Sequence, residues 1–292
     1  MSRNSSSRPM KTRREPDAKR LPWYSPSGAP VSRRRLCGVC QPTLKRQLHT
    51  PQFVFHEATV LLIVAGQLDI TTASHHFSLD NPGELVLIAP NTRADLVKTP
   101  VDIVRPFRSI FLTLSAELLD TFHRNRQASA PIRYTDYACN TLPLNEDLSA
   151  TFYHVIESVE KQEISDIRLQ YRLLDFLTAL AERGHVFTHL PLDSPSQRLR
   201  TLIFEAPEQN WTAETAGKTL AMSPATLRRR LAAEQTRFED LLIDVRMHHA
   251  MMLVQTTRWD MTRIAEACGY KSRSRFSERF QKRFGYAPSA IR

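Results

Sequence analysis

Cysteine is scarce, with four among 292 residues, which rules out a disulfide scaffold and points to a reducing compartment. Cys37 and Cys40 form a C-x-x-C pair, the spacing that brings two sulfurs onto one metal or into one disulfide. Cys139 and Cys268 stand alone in unrelated contexts, however, and no thioredoxin-like strand–helix setting surrounds the pair, so the spacing is read as coincidence. Long apolar runs are also missing. The longest, VLLIVA at residues 60–65, is far too short to span a bilayer, and no apolar segment follows the N-terminal charges as it does in a signal peptide. A cytoplasmic protein is expected. Chelating histidine pairs are lacking as well: His75 and His76 are adjacent and point to opposite faces of a strand. His56, Glu57 and Glu84 would have to be gathered in three dimensions. Metal-dependent catalysis therefore has little support, and no cofactor, metal ligand or catalytic residue is assigned.

What is abundant is positive charge, unevenly placed. The formal net charge of +10 divides into +10 over residues 1–46, −7 over 47–193 and +7 over 194–292. Clustered cations suggest a polyanionic partner such as double-stranded DNA, because each Lys or Arg that neutralises a phosphate releases counterions. Residues 1–48 are rich in Ser, Arg and Pro and are expected to form a disordered basic tail. That tail is either a DNA-attracting arm, a solvated extension, or the product of a start assigned upstream of Met10.

Between Pro51 and Leu114, short apolar stretches such as ATVLLIVAG, QLDITTA and ELVLIAP alternate with turn signals such as NPG. They predict about six strands in a small sandwich or barrel. Helical patterns follow. SAELLDTFHRN opens at a capping Ser115, and residues 147–183 carry two apolar stripes, Leu148 to Val159 and Leu169 to Leu180, the second ending near Gly184. The second stripe is broad enough for an interdomain contact or a homodimer seam. PLDSPS, residues 191–196, reads as a linker, giving regions 49–190 and 194–292.

In the last hundred residues a pattern occurs twice. GYKSRSRFSERFQKRFGYAP places Phe276, Phe280 and Phe284 on one buried helical stripe and Ser274, Arg275, Glu278 and Lys282 away from it. Ser272 is the expected N-cap and Gly285 the C-cap. AMSPATLRRRLAAE repeats the logic 49 residues earlier, with Ser223 as N-cap, Pro224 at the first helical position, and Leu227 and Leu231 buried. Each helix follows a shorter one across a tight turn, so two helix-turn-helix units are predicted. FEDLLIDVRMHHAMMLV between them is a helix of roughly 25 Å, able to hold the units about one DNA turn apart.

MSPATLRRRL, DVRMHHAMMLV and IAEACGYKSRSRFSERFQKRFGYAPSAIR resemble the AraC/XylS family of bacterial transcriptional regulators over residues 200–292. NPGELVLIAPNT and the order of strands before helices resemble the family's cupin-like regulatory domain. The resemblance implies an α+β chain: an N-terminal cupin-like β-barrel with a helical pair, then an all-α double helix-turn-helix domain that usually activates transcription by touching RNA polymerase. By position it places Ala225, Thr226, Arg228 and Arg229 of the first unit, and Arg273, Ser274, Arg275 and Glu278 of the second, at the DNA. Ser223, Arg230, Lys271, Ser272 and Lys282 are placed at phosphates, and Arg292 at a phosphate or a structural pair. For any one arginine, base readout and a plain phosphate contact both stand.

Three positions depart from the family pattern. Gly217 stands where alanine is usual, Ala221 where the first turn's glycine is usual, and Glu278 where an arginine is common. Arg93 and Ala94 follow the AP of the cupin-like region where a metal-binding histidine would fall. The function expected is a sequence-specific DNA-binding regulator, an activator with a small-molecule or protein effector. A cupin-type metal enzyme fused to DNA-binding helices, and a regulator whose barrel binds a partner protein, are the alternatives.

Overall fold

Period-two alternation and β-branched content drive the first half of the chain into strands. The computed structural model describes residues 31–126, 138–161, 163–188 and 194–291. Its strands are β1 (Val31–Arg34), β2 (Cys37–Cys40), β3 (Thr43–Leu44), β4 (Leu48–Phe55), β5 (Ala58–Ala65), β6 (Gln67–Thr71), β7 (His76–Leu79), β8 (Glu84–Ile88), β9 (Thr92–Thr99), β10 (Phe107–Leu114) and β11 (Cys139–Pro143). One sheet runs β1-β2-β10-β5-β8-β11 with β3 beside β10, and the other runs β4-β9-β6-β7. Leu61, Ile63, Val86 and Ile88 of the first sheet share a buried cluster with Leu68, Ile70 and Leu96 of the second, so the sheets face each other. The alternate residues Val60, Leu62, Leu85 and Leu87 belong to a different cluster, beneath helices. That double cover explains the unbroken apolar run in β5.

The sheet domain begins earlier than the sequence suggests. Residues 31–48, expected to be part of a disordered tail, contribute β1 to β3, and β2 pairs with β10 from Leu114↔Cys37 to Phe111↔Cys40. Cys37 joins the helix-side cluster and Cys40 the inter-sheet cluster, so the two sulfurs of the C-x-x-C sit on opposite faces. The expectation for residues 1–30 lies outside the described residues, as do linker positions 191–193 and Arg292.

Helices α1 (Ala116–Asn125), α2 (Glu146–Glu160) and α3 (Asp166–Glu182) are capped by the side chains of Ser115, Asn145 and Ser165. Their apolar faces, including Phe122, Phe152, Leu173 and Phe176, fill the outer face of the first sheet. The second stripe, expected to reach between domains, is thus used within the sheet domain, because α3 packs on α1 and α2.

The remainder is helical: α4 (Pro195–Glu205), α5 (Ala213–Thr219), α6 (Pro224–Ala233), α7 (Phe238–Thr256), α8 (Met261–Ala267) and α9 (Arg273–Phe284), then a short 3-10 turn at Pro288–Ile291. The first helix-turn-helix unit has its own core, in which Leu199, Ile203, Trp211, Leu227, Leu231 and Leu241 meet. The second does not. Phe276, Phe280 and Phe284, with Met247, Met251 and Val254 of α7, belong to the cluster that fills the space between the sheets. Among the described residues no helix is long and apolar enough to cross a membrane.

Candidate nucleic-acid interface

Both candidate recognition helices start on a serine cap. Ser223 Oγ accepts from the Thr226 backbone N–H at 3.1 Å, and Ser272 Oγ from that of Arg275 at 3.4 Å. Pro224 occupies the first turn of α6, where a missing N–H costs nothing. Gly285, at φ 88°, closes α9. Each helix then buries one face, Leu227 and Leu231 in α6 and the three phenylalanines in α9. The charged face is left to solvent.

Ala225, Arg228, Arg229 and Arg230 are exposed on α6, and Lys271, Arg273, Ser274, Arg275, Glu278 and Lys282 are exposed on or beside α9. Thr226 is half-buried, and its hydroxyl accepts from Ser223 Oγ at 2.9 Å, which makes it part of the cap. Arg228 leans on Glu214 of α5 at 3.4 Å, an exposed pair that solvent screens and that a stronger acceptor can displace. No ion pair joins Glu278 to Arg275 or Lys282 among the described residues. Sequence reasoning passed over Arg279, exposed on α9 beside Glu278. It also gave no role to Arg283, which turns the other way.

Arg283 fastens α9 to the sheet domain. Its guanidinium donates to the carbonyls of Pro51 at 3.3 Å and Gln52 at 2.5 Å, and to Asp244 Oδ1 at 3.1 Å. Gln52 has φ 50° and sits at an irregularity in the β4–β9 pairing, braced by a 2.6 Å bond from its N–H to Asp95. Tyr286 donates to the carbonyl of His49 at 2.7 Å. Asp244 also receives Arg200 at 3.2 Å. Burial raises the Asp244 pKa, but His248, His56, Arg283 and Arg200 together hold it below its ordinary value.

His56, Asp244 and His248 bring three potential metal-ligand atoms within 4.8 Å of one another. Their chemistry does not suit a cation. His248 Nε2 accepts from the Val54 N–H at 3.0 Å while Nδ1 faces the Asp244 carbonyl at 2.7 Å, so the neutral ring has no lone pair to give. Two guanidiniums on the Asp244 carboxylate further repel a metal ion.

A family model described as a helix-turn-helix domain matches residues 217–292. The urease operon transcriptional activator of Escherichia coli is 33% identical over 101 residues, 34% of each chain, so the chain spans about a third of that protein's length. The virulence regulon transcriptional activator VirF of Shigella flexneri is 21% identical over 241 residues, 80% of this chain and 90% of that one. Residues 217–292 therefore carry a helix-turn-helix domain, the part of the chain in which the similarity to these activators is strongest. An unsaturated-fatty-acid-bound structure of ToxT from Vibrio cholerae shares the fold, with TM-score 0.59 and 15% identity, covering 88% of this chain and 95% of that one.

The departures from the AraC/XylS pattern have a geometric basis. A Cβ on Gly217 would lie 2.7 Å from the Met222 carbonyl oxygen, so the α5–α6 turn is closer here than an alanine tolerates. Ala221 adopts φ 55°, the left-handed conformation that the usual glycine enters freely, and Gly269 holds the matching place in the second unit at φ 74°.

Proposed function

We propose that this chain is a sequence-specific DNA-binding transcriptional regulator of the AraC/XylS type, an activator in the cytoplasm that lays α6 and α9 into successive major-groove segments. One observation carries the reading: two serine-capped helices, each with a buried apolar and an exposed cationic face, share cores with the two halves of α7, α6 with Phe238 to Val245 and α9 with Met247 to Val254. The helix between them is roughly 28 Å long, comparable to the DNA turn of about 34 Å that separates adjacent groove segments. In this reading Ala225, Thr226, Arg228 and Arg229 meet one segment, and Arg273, Ser274, Arg275 and Glu278 the next. Arg230, Lys271 and Lys282 meet phosphates, and Ser223 and Ser272 point the helix N-termini at them. Activation entails contact with RNA polymerase. Selection from a randomised duplex library with the full chain tests the reading: two enriched sequence blocks about one turn apart are expected, and no enriched motif at low salt refutes it.

The effector reading rests on Lys98. This side chain from β9 is 4% exposed, its ammonium donates to the neutral Gln255 amide of α7 at 2.5 Å, and it lies 5.3 Å from the Phe111 ring centre. Burial pulls its pKa down to about 8, so it is charged at neutral pH. A mostly apolar cavity of about 60 Å³ opens beside it, lined by Phe53, Phe111, Met251 and Met252. A buried cation without an anion is costly, and a short apolar acid supplies both the anion and the greasy body. Bound there it touches β9 and α7 at once, and so couples the sheet domain to the DNA-binding helices.

A further inference from the structure

The two DNA-binding units meet on Arg246, in the middle of α7. Its neighbour Val245 belongs to the core of the first unit and Met247 to the core that the second unit shares with the sheets. The half-buried Arg246 guanidinium donates through Nε to the carbonyl of Pro207 at 2.9 Å and through Nη2 to that of Gln209 at 2.8 Å. Both carbonyls belong to the segment between α4 and α5. Trp211 ties that segment into the first unit's core through its own bond to the Ala206 carbonyl at 2.8 Å. Arginine suits the place because its planar fork reaches two acceptors at once and leaves its face free to stack.

That face lies against the second unit. The guanidinium carbon is 5.7 Å from the centre of the Tyr270 ring, within cation–π reach. Tyr270 in turn packs edge-on against Phe276 of α9, with ring centres 5.8 Å apart, and Phe276 is fully buried. Gly269 supplies an independent sign that the units press together here. A Cβ at this position would fall on the Arg246 guanidinium and 2.8 Å from the Pro207 carbonyl oxygen, so the α8–α9 turn comes closer to the first unit than any side chain permits. The glycine thus serves the fit between units as well as its own φ of 74°.

We propose that Arg246 is a positioning residue for DNA reading, which fixes α9 relative to α6 and so sets the number of base pairs accepted between the two contacted segments. The inference rests on the reading of α6 and α9 as paired recognition helices. Its physical basis is the geometry of the duplex, where one added base pair moves the next segment by about 3.4 Å and turns it by about 35°. Units locked together by Arg246 match one spacing. Units joined through the α7 backbone alone tolerate its neighbours.

Binding of the full chain to duplexes that carry the two selected sequence blocks, with one base pair inserted or removed between them, tests it. For the parent protein the change should cost about tenfold in affinity. In Arg246→Gln the cost should fall to about threefold, with base preference inside each block unaltered. Arg246→Lys, which keeps the charge but not the fork, should fall between the two, as should Tyr270→Leu, which keeps both carbonyl bonds. These milder variants decide the matter if Arg246→Gln does not fold. Binding weakened by the same factor at every spacing, the mark of a merely structural role, overturns the proposal, as does a parent chain indifferent to spacing. Selection that yields no paired blocks refutes the recognition-helix reading itself, whereas paired blocks with an unchanged spacing penalty in the variants refute only the role of Arg246.

Discussion

Arg283 reaches back 231 residues to the Gln52 carbonyl, so the last long helix is pinned to an irregular point of β4. The same guanidinium contacts Asp244 of α7, the helix that carries both DNA-binding units. The second unit is thus held from the sheet side, while the first makes its own core.

Removing that pin should be costly. Arg283→Ala strips charged hydrogen bonds from the half-buried Pro51 carbonyl and Asp244 and from the exposed Gln52 carbonyl, and should lower stability by about 1–3 kcal/mol. Denaturant midpoints of the two proteins measure it. An unchanged midpoint would show that the contacts contribute nothing.

The cluster around His248 should make stability pH-dependent. Burial first, then Arg283 and Arg200, hold its pKa at about 4 against the opposing pull of Asp244, compared with an ordinary value of 6.5. The unfolded chain therefore takes up a proton between those values and the folded chain does not. Stability is complete above pH 6.5 and is lost as pH falls toward 4, by an amount on the order of 3 kcal/mol. His56, lowered chiefly by burial, acts in the same sense. Melting temperatures measured across this window should fall with acid and flatten in His248→Gln. A flat profile in the parent protein rules the mechanism out.

Lys98→Met is expected to stabilise the ligand-free protein, because an unpaired buried ammonium is replaced by an apolar chain of similar length. The same change should abolish any response of DNA binding to short apolar acids. A lower melting temperature with an intact response contradicts the role given to Lys98.

On the DNA side, Arg229→Ala should weaken specific binding by about 1–3 kcal/mol if its contact is bidentate to a base. Glu278 is exposed and makes no ion pair with its helical neighbours, which leaves it available to accept from a cytosine amine. Glu278→Ala should then lose preference at one base pair of a randomised half-site. Preserved preference excludes direct reading by this residue.

A fragment of residues 194–292 should bind target DNA at low salt, whereas the acidic sheet domain should not. The fragment should melt well below the full chain, since Met247, Met251 and Val254 lose the residues of the sheets with which they share a core. Gel-shift titration and thermal melts of the fragment check both halves of the statement.

Local signals were the legible ones. Ser223 and Ser272 cap where the serine-before-helix pattern puts them, and Phe276, Phe280 and Phe284 are all buried, because both features depend on residues a turn apart. β2 was missed because its support is distant: CGVC is short, follows a run of arginines, and becomes a strand only by pairing with β10. Arg283 received no role from the sequence. Its carbonyl partners on β4, like the meeting of His56 with His248, arise from the docking of domains and leave no periodic trace in the sequence.

The separate core of the first unit and the shared core of the second divide the chain into cooperative blocks that cut across its apparent domains. Amides of α5 and α6 can exchange with solvent through a local opening that leaves the rest intact. Those of α9 open only together with the interior of the sheets, so the slowest-exchanging amides of the DNA-binding region should lie in α9 and the second half of α7.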